Sequence, residues 1–138
     1  MAARDEPDHR RQTILIVDDD PDFLFQLQLQ LEQAGYRVQA AAGEAEARRM
    51  LETETPDLAI LDLMMEHMDG GFVLSHHIKQ LNPAIPVILV TGVAHETGLE
   101  FAVNTPGERS WIKADAVLAK PVRFEQLRRE LARLLPED

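Results

Sequence analysis

The chain has 138 residues, of which 45% are hydrophobic, a length at which a single domain buries roughly 70% of the surface that its unfolded chain exposes. The formal net charge of -10 argues against binding to nucleic acid or to anionic membranes, because attraction to phosphate needs clustered Lys and Arg, and the basic residues here are scattered. Cysteine is absent, which excludes disulfides, thiolate catalysis and Cys-based metal sites.

The two ends of the chain are polar. The first segment, MAARDEPDHRRQ, has no apolar region of the kind that a secretion signal needs, so we expect a disordered leader over 1–12 and a short tail over 136–138. No apolar stretch approaches the length of a membrane span. These features predict a cytoplasmic protein that makes no membrane contact.

Short apolar runs alternate with longer segments of helical periodicity. The runs typical of buried strands are 14–17, 36–42, 58–61, 87–90 and 117–119. Segments with helical spacing follow the second, third and fifth runs: GEAEARRMLETE, FVLSHHIKQLNP and VRFEQLRRELARLL. Strands that alternate with helices need right-handed crossovers, which give a parallel sheet covered on both faces. We therefore predict a doubly wound α/β domain with five parallel strands.

The segment PDFLFQLQLQLEQAG, after the first strand, has an ambiguous pattern. Its apolar residues partly alternate with glutamines, which by itself suggests a strand. The flanking residues favour a helix, because Asp20 suits the N-cap, Pro21 suits the first helical position, and Gly35 is a stop signal. Helical spacing places Phe25 and Leu29 opposite the residues predicted to face the core, which are Leu24, Leu27, Leu31 and Ala34.

Carboxylates follow two of the predicted strands. Asp18 and Asp19 come at the end of the first strand, and Asp62 ends the third. Ligand sites of open α/β sheets lie at the carboxyl ends of the strands, and parallel neighbours are about 4.8 Å apart, so the three side chains can converge. Unpaired carboxylates would repel one another. A hard divalent cation relieves this repulsion, and Mg²⁺ is the usual ion where phosphate is also bound.

A hydroxyl and an ammonium join the acids at the same edge of the sheet. Thr91 ends the fourth predicted strand and Lys120 ends the fifth. Acids, a metal, a hydroxyl and a lysine are the groups that transfer of a phosphoryl group onto a carboxylate would use.

The order of these motifs resembles the receiver domain of bacterial two-component response regulators. The shared pieces are ILIVDDD, LDLMM followed by MDG, Thr91-Gly92 and Lys120-Pro121, each at the end of a predicted strand. The resemblance covers residues 13–135. It implies a flavodoxin-like sheet with strand order 2-1-3-4-5.

The resemblance also implies roles for the acids. Asp62 would accept a phosphoryl group from a phosphohistidine on a sensor histidine kinase or a histidine phosphotransfer protein. Asp19 and Asp62 would ligate Mg²⁺ directly, together with the backbone carbonyl of Met64. Asp18 would act on the metal mainly through water.

The remaining site residues would bind the phosphoryl group. Lys120 would contact its oxygens, and Thr91 would move to hydrogen-bond them. A cis peptide bond is common before the proline equivalent to Pro121. With no output enzyme domain in the chain, signalling would occur by contact with a downstream protein target or by homodimerisation.

The sequence departs from the family pattern in several places. Glu66 and His67 replace the usual Pro-Gly after the acceptor, and Val117 stands where an aromatic switch residue is common. The segment 92–119 is longer than expected and is interrupted by glycine and proline, so the fourth helix should be short or irregular. Trp111, within this segment, is either an anchor for a partner or a core residue.

Two other classes of function stay open on the sequence alone. One is a receiver-like binding module that works without phosphorylation. The other is an aspartate-nucleophile phosphatase of the haloacid dehalogenase type, because Asp18 and Asp20 form a D-x-D after the first strand. The exposed pair Phe25 and Leu29 is expected to dock the phosphodonor protein, with self-association as the alternative.

Overall fold

A computed structural model describes residues 12–63, 70–92 and 114–135. Within these ranges the chain forms five strands and four helices. In chain order they are β1 (Thr13–Val17), α1 (Pro21–Gln33), β2 (Arg37–Ala41), α2 (Glu44–Thr53), β3 (Leu58–Asp62), α3 (Gly70–Leu81), β4 (Val87–Thr91), β5 (Ala116–Ala119) and α4 (Phe124–Leu134). The predictions about Met64, Glu66, His67, Trp111, the irregular fourth helix and the tail lie outside the described residues.

The five strands form one parallel sheet in the order β2-β1-β3-β4-β5. The doubly wound fold and the flavodoxin-like order are therefore confirmed. The sheet changes direction of winding between β1 and β3, where the chain crosses from one side of β1 to the other. In folds of this kind the ligand crevice lies at that point, beyond the carboxyl ends of the strands.

The core has two layers because the sheet is covered on both faces. All residues of β1, β3 and β4 are buried, which explains why these strands are continuous apolar runs instead of alternating ones. Leu15 and Val17 point into a cluster shared with α2 and α3, whereas Ile14 and Ile16 point into a cluster shared with α1 and α4. The strand β5 is an edge strand, and Leu118 is its one buried residue.

Helix α1 begins and ends where the flanking residues predicted. The side chain of Asp20 caps it, accepting hydrogen bonds from the backbone N–H groups of Asp22 and Phe23 at 3.0 and 3.4 Å. Gly35 follows the helix with a φ of 105°, a conformation that favours glycine. Leu27 and Leu31 are buried. The caps and the helical spacing thus outweighed the strand-like alternation.

Gln12, which we assigned to the leader, directly precedes β1 and contacts the start of β2, because its carbonyl accepts a hydrogen bond from the backbone N–H of Arg37 at 2.9 Å. The rest of the predicted leader lies outside the described residues. Among the helices that the structure describes, none is long and apolar enough to cross a lipid bilayer.

A polar network ties the amino-terminal ends of β4 and β5 together. Asp115 Oδ2 accepts hydrogen bonds from the backbone N–H of Val87 at 2.8 Å and from Lys79 Nζ at 2.9 Å. Lys79 also donates to the carbonyl of Ile85 at 2.7 Å, and Arg133 donates to the carbonyl of Asp115 at 3.2 Å. The side chain and the backbone carbonyl of Asp115 together therefore connect α3, β4 and α4 to the start of β5, at the end of the sheet opposite the acids.

We expect Asp115→Ala to lower the free energy of unfolding by roughly 1 to 3 kcal/mol, because it removes the acceptor of the partly buried Val87 N–H and the carboxylate partner of the Lys79 ammonium. Urea denaturation followed by circular dichroism measures this change. The control is Glu52→Ala, an exposed carboxylate on α2, which should change stability by less than about 0.5 kcal/mol. Equal effects of the two substitutions would contradict a structural role for the network.

Candidate functional site

Strand register brings the predicted site residues to one edge of the sheet. Val17 pairs with Leu61, so Asp18, the next residue, lies level with Asp62 on the neighbouring strand. Two strands away, Thr91 pairs with Ala119, and Lys120 follows directly. These side chains thus lie at the carboxyl ends of four neighbouring strands, β1, β3, β4 and β5, as the strand-end pattern predicted.

The carboxylates of Asp18, Asp19 and Asp62 form a cluster. Each offers an oxygen, and these oxygens lie within 4.8 Å of one another. Asp18 is only 2% exposed and Asp62 only 7%, whereas Asp19 is exposed. Two buried negative charges so close together are unfavourable unless a cation opposes them.

Lys120 supplies a positive charge to the cluster. Its Nζ lies 3.0 Å from Asp18 Oδ2 and 3.8 Å from Asp62 Oδ2. Burial by itself lowers the pKa of Lys120, but the side-chain contact with Asp18 and its charge, followed by the charges of Asp62 and Asp20, raise that pKa above its ordinary value. The ammonium is therefore charged at neutral pH. One lysine still leaves more negative than positive charge in the cluster.

The turn after β1 fixes the orientation of Asp18. The backbone N–H of Asp20 donates to Asp18 Oδ1 at 2.8 Å, and the N–H of Asp18 donates to the carbonyl of Ala41 at 3.1 Å. The other oxygen, Oδ2, is buried, and its contact with Lys120 lacks the alignment of a hydrogen bond. The sequence did not predict this direct ion pair, because the resemblance assigned Lys120 to the phosphoryl oxygens and Asp18 to the metal.

The acidic cluster has the donor chemistry of a site for a hard divalent cation. Its ligand atoms are all carboxylate oxygens, and Asp18 Oδ2 is a buried oxygen that no aligned donor satisfies. Mg²⁺ prefers such ligands and is usually held by one or two carboxylates with water and phosphate oxygens completing its shell. The residues present therefore fit Mg²⁺. The carbonyl of Met64, expected as a further ligand, lies outside the described residues.

Thr91 is buried at the end of β4, and its carbonyl accepts a hydrogen bond from the backbone N–H of Lys120 at 2.8 Å. This bond couples the two strand ends.

The next residue, Gly92, has open space where a side chain would begin, because nothing lies within 4 Å of a Cβ placed there. Val117 is half-buried against the cluster shared with α2 and α3. The peptide bond between Lys120 and Pro121 is cis, as the resemblance implied.

The structure adds an aromatic side chain that sequence reasoning missed. The ring of Phe23 lies under the Lys120 ammonium, with 4.5 Å between Nζ and the ring centroid. Both residues border a cavity of about 420 Å³ between α1, α4 and the segment after β5. The helical spacing of α1 predicted an exposed Phe25 on its outer face but indicated no role for Phe23. The one available signal for Phe23 was its position in the first turn, directly after the acidic motif.

The strand order and the acids at the strand ends are typical of doubly wound α/β proteins whose ligand pocket lies at the carboxyl edge of the sheet. The sequence profile of the response regulator receiver domain matches residues 14–132. The chain therefore belongs to the response regulator receiver domain family, and its phosphoryl-accepting signalling role is that of this family. Membership decides against the haloacid dehalogenase alternative.

Curated relatives include two transcriptional regulatory proteins. GlrR of Escherichia coli K12 is 43% identical over 83 residues, which are 60% of this chain and 18% of GlrR. ZraR of Salmonella typhimurium is 36% identical over 124 residues, which are 88% of this chain and 26% of ZraR. The chain thus spans about a fifth to a quarter of the length of these relatives.

Solved structures with the same fold include two close matches. A CheY-like receiver domain from Methanospirillum hungatei is 32% identical with a TM-score of 0.71, and the match covers 89% of this chain and 95% of that one. The response regulator TrrA from Thermotoga maritima, solved in complex with Mg²⁺-BeF, is 27% identical with a TM-score of 0.72. That match covers 91% of this chain and all of TrrA.

The ion pair between Asp18 and Lys120 should contribute to stability in a way that a double-mutant cycle can measure. In EDTA, we expect Lys120→Met to lower the free energy of unfolding by about 1 to 3 kcal/mol in the wild type, because it leaves buried Asp18 without a counter-charge. The loss should be clearly smaller in an Asp18→Asn background. In an Asp22→Asn background, where the altered acid is exposed, it should equal the wild-type loss.

The same pair predicts a pH dependence. The folded pKa of Lys120 is raised above the unfolded value of 10.5, so the stabilisation is complete below that value and is lost as the pH rises through the folded pKa. The stability difference between wild type and Lys120→Met should therefore shrink in strongly alkaline solution. A difference that stays constant there would argue against the ion pair as its source.

Proposed function

We propose that Asp62 is the phospho-acceptor of this receiver domain, and that it takes its phosphoryl group from a phosphohistidine on a sensor histidine kinase or a histidine phosphotransfer protein. The observation that carries the proposal is the position of the Lys120 ammonium, within 4 Å of both Asp18 and Asp62 at the strand ends. A buried carboxylate beside a lysine and two further acids has both a nucleophile and the means to balance added negative charge.

In the proposed transfer, a carboxylate oxygen of Asp62 forms a bond to phosphorus while the bond between phosphorus and the donor imidazole breaks. The imidazole leaves with the electron pair of that bond, and an acyl phosphate remains on Asp62. Lys120 opposes the charge on the phosphoryl oxygens, and Asp18 holds Lys120 in reach. Bound Mg²⁺, held by Asp18, Asp19 and Asp62, would neutralise charge on the phosphoryl oxygens and orient them.

The proposed switch is a change of partner for Lys120. Before transfer, its ammonium is closer to Asp18 than to Asp62, at 3.0 against 3.8 Å. A phosphoryl group adds charge and strong acceptor oxygens, so we expect Lys120 to move towards it and Thr91 to turn its hydroxyl to the same group. Val117 lacks an aromatic ring, so output would depend on Thr91 and the segment that follows it. The resulting surface would engage a downstream protein or a second copy of the chain.

Incubation with acetyl phosphate and Mg²⁺ tests the acceptor. We expect intact-protein mass spectrometry to detect one added phosphoryl group on the wild type and none on Asp62→Asn, because the amide lacks the nucleophilic oxygen. Asp22→Asn is the matched control, since it removes an exposed acid from the first turn of α1 and should be labelled like the wild type. EDTA should suppress labelling if the acidic cluster holds the metal.

Two results would overturn this assignment. Labelling of Asp62→Asn at the wild-type level would place the phosphoryl group elsewhere. No labelling of the wild type by acetyl phosphate or by any histidine phosphodonor, together with no binding of beryllofluoride, would favour the receiver-like module that works without phosphorylation.

The outer face of α1 is proposed as the docking surface for the phosphodonor protein. Phe25 is 66% exposed and Leu29 is 45% exposed, one helical turn apart on the helix whose first turn borders the site. Two apolar side chains on an otherwise glutamine-rich face form a small patch that a partner helix can cover. Self-association through the same patch is the alternative occupant.

Replacing Phe25 and Leu29 by Ser together should slow phosphotransfer from the cognate kinase by about tenfold, while labelling by acetyl phosphate stays unchanged. The matched control is the double substitution of Val73 and Leu81 by Ser, because these exposed apolar residues lie on α3, against the opposite face of the sheet. A normal transfer rate with a lost dimer in analytical ultracentrifugation would assign the patch to self-association. If neither the transfer rate nor the oligomeric state changes, the patch has no role in docking or in self-association.

A further inference from the structure

The Lys120 ammonium has an aromatic neighbour as well as acidic ones. It lies 4.5 Å from the centroid of the Phe23 ring, within the distance of about 6 Å over which a cation is attracted to an aromatic face. Lys120 is partly exposed, at 26% of its side chain, and Phe23 is half-buried. The ring thus covers one side of the cation, and Asp18 contacts another.

A single hydrogen-bonded turn holds both of these neighbours. Asp18 Oδ1 accepts from the N–H of Asp20, and Asp20 in turn caps α1 by accepting from the N–H groups of Asp22 and Phe23. The carboxylate that pairs with Lys120 and the ring that covers it therefore belong to one rigid segment. The hydrogen bonds of this turn hold the backbone of Asp18 and the backbone of Phe23 at a set separation.

We propose that Phe23 is a positioning residue for phosphoryl transfer, whose ring keeps the Lys120 ammonium over the acidic cluster. This inference rests on the proposed role of Asp62 as the acceptor. An aromatic face attracts the cation electrostatically but is a weak hydrogen-bond acceptor compared with a carboxylate or a phosphoryl oxygen. The N–H groups of Lys120 consequently stay available for Asp18 and for the incoming phosphoryl group.

The cavity beside Lys120 explains why such a restraint is needed. It has a volume of about 420 Å³ and opens between α1, α4 and the segment that carries Lys120, Pro121 and Val122. A lysine side chain is long and flexible, so without the ring it gains alternative positions in this space. A lysine that is away from Asp62 when the phosphoryl group arrives cannot oppose the charge on its oxygens.

The test is the rate at which acetyl phosphate labels Asp62 in the presence of Mg²⁺. In that reaction an Asp62 oxygen bonds to phosphorus as the phosphorus–oxygen bond to acetate breaks and acetate leaves. Phe23→Leu keeps an apolar side chain but removes the aromatic face, and we expect it to slow labelling by about threefold to tenfold. Phe23→Tyr keeps the face and should label within about twofold of wild type.

Two further variants separate positioning from packing. Phe124→Leu removes an aromatic ring that borders the same cavity and packs against the same core cluster as Phe23, and it should label at the wild-type rate. In a Lys120→Met background, which lacks the ammonium, Phe23→Leu should have no further effect. Equal slowing by Phe23→Leu and Phe23→Tyr, or slowing that persists without Lys120, would overturn the inference and leave Phe23 as a packing residue.

NMR of the wild-type protein tests the contact between Lys120 and Phe23 without relying on a variant that could fail to fold. The methylene protons next to the Lys120 ammonium should resonate upfield in the wild type, because the nitrogen that they flank lies 4.5 Å from the centroid of the ring, and should return to ordinary values in Phe23→Leu. Ordinary values in the wild type would overturn the contact. If neither acetyl phosphate nor a histidine phosphodonor labels the wild type and beryllofluoride does not bind, the proposed acceptor fails, whereas a labelled wild type with an equally fast Phe23→Leu removes only the role of Phe23.

Discussion

The contact between the Lys120 ammonium and the buried carboxylate of Asp18 is the interaction on which the site depends. Asp18 and Asp62 are nearly inaccessible to water, and their charges repel at the distance that the sheet imposes. The Lys120 ammonium lies 3.0 Å from Asp18 and 3.8 Å from Asp62. Its charge reduces the repulsion between the two carboxylates but does not cancel their combined negative charge. The remaining negative charge suits the pocket to a hard cation, and in the proposed function the lysine would respond to an added phosphoryl group.

The sheet turns residues that are distant in sequence into neighbours. Asp18, Asp62 and Lys120 come from three different strand ends, and their separations follow from parallel register across β1, β3, β4 and β5. At the opposite end of the sheet, Asp115 holds the start of β4 against the start of β5. The apolar layers on both faces keep the strands from moving individually, so charge is concentrated on a rigid frame.

Helix α1 serves three parts of the molecule with three different faces. Leu27 and Leu31 pack into the core, the first turn carries the Asp20 cap and the Phe23 ring beside the site, and Phe25 and Leu29 remain exposed. A partner that covers the outer face would lie next to the turn that holds Lys120 and Asp18 in place. Recognition and phosphoryl transfer would then act through the same short segment of backbone.

The strands, the limits of α1 and the gathering of the acids and Lys120 at one edge of the sheet were predictable from the sequence, because apolar runs, caps and strand ends are local properties of the chain. The individual contacts within that group were not predictable. The ion pair of Asp18 with Lys120 and the ring of Phe23 beneath that lysine join segments about a hundred residues apart in sequence. Periodicity carries no information about such contacts, since they depend on strand order and on the direction in which each turn leaves the sheet.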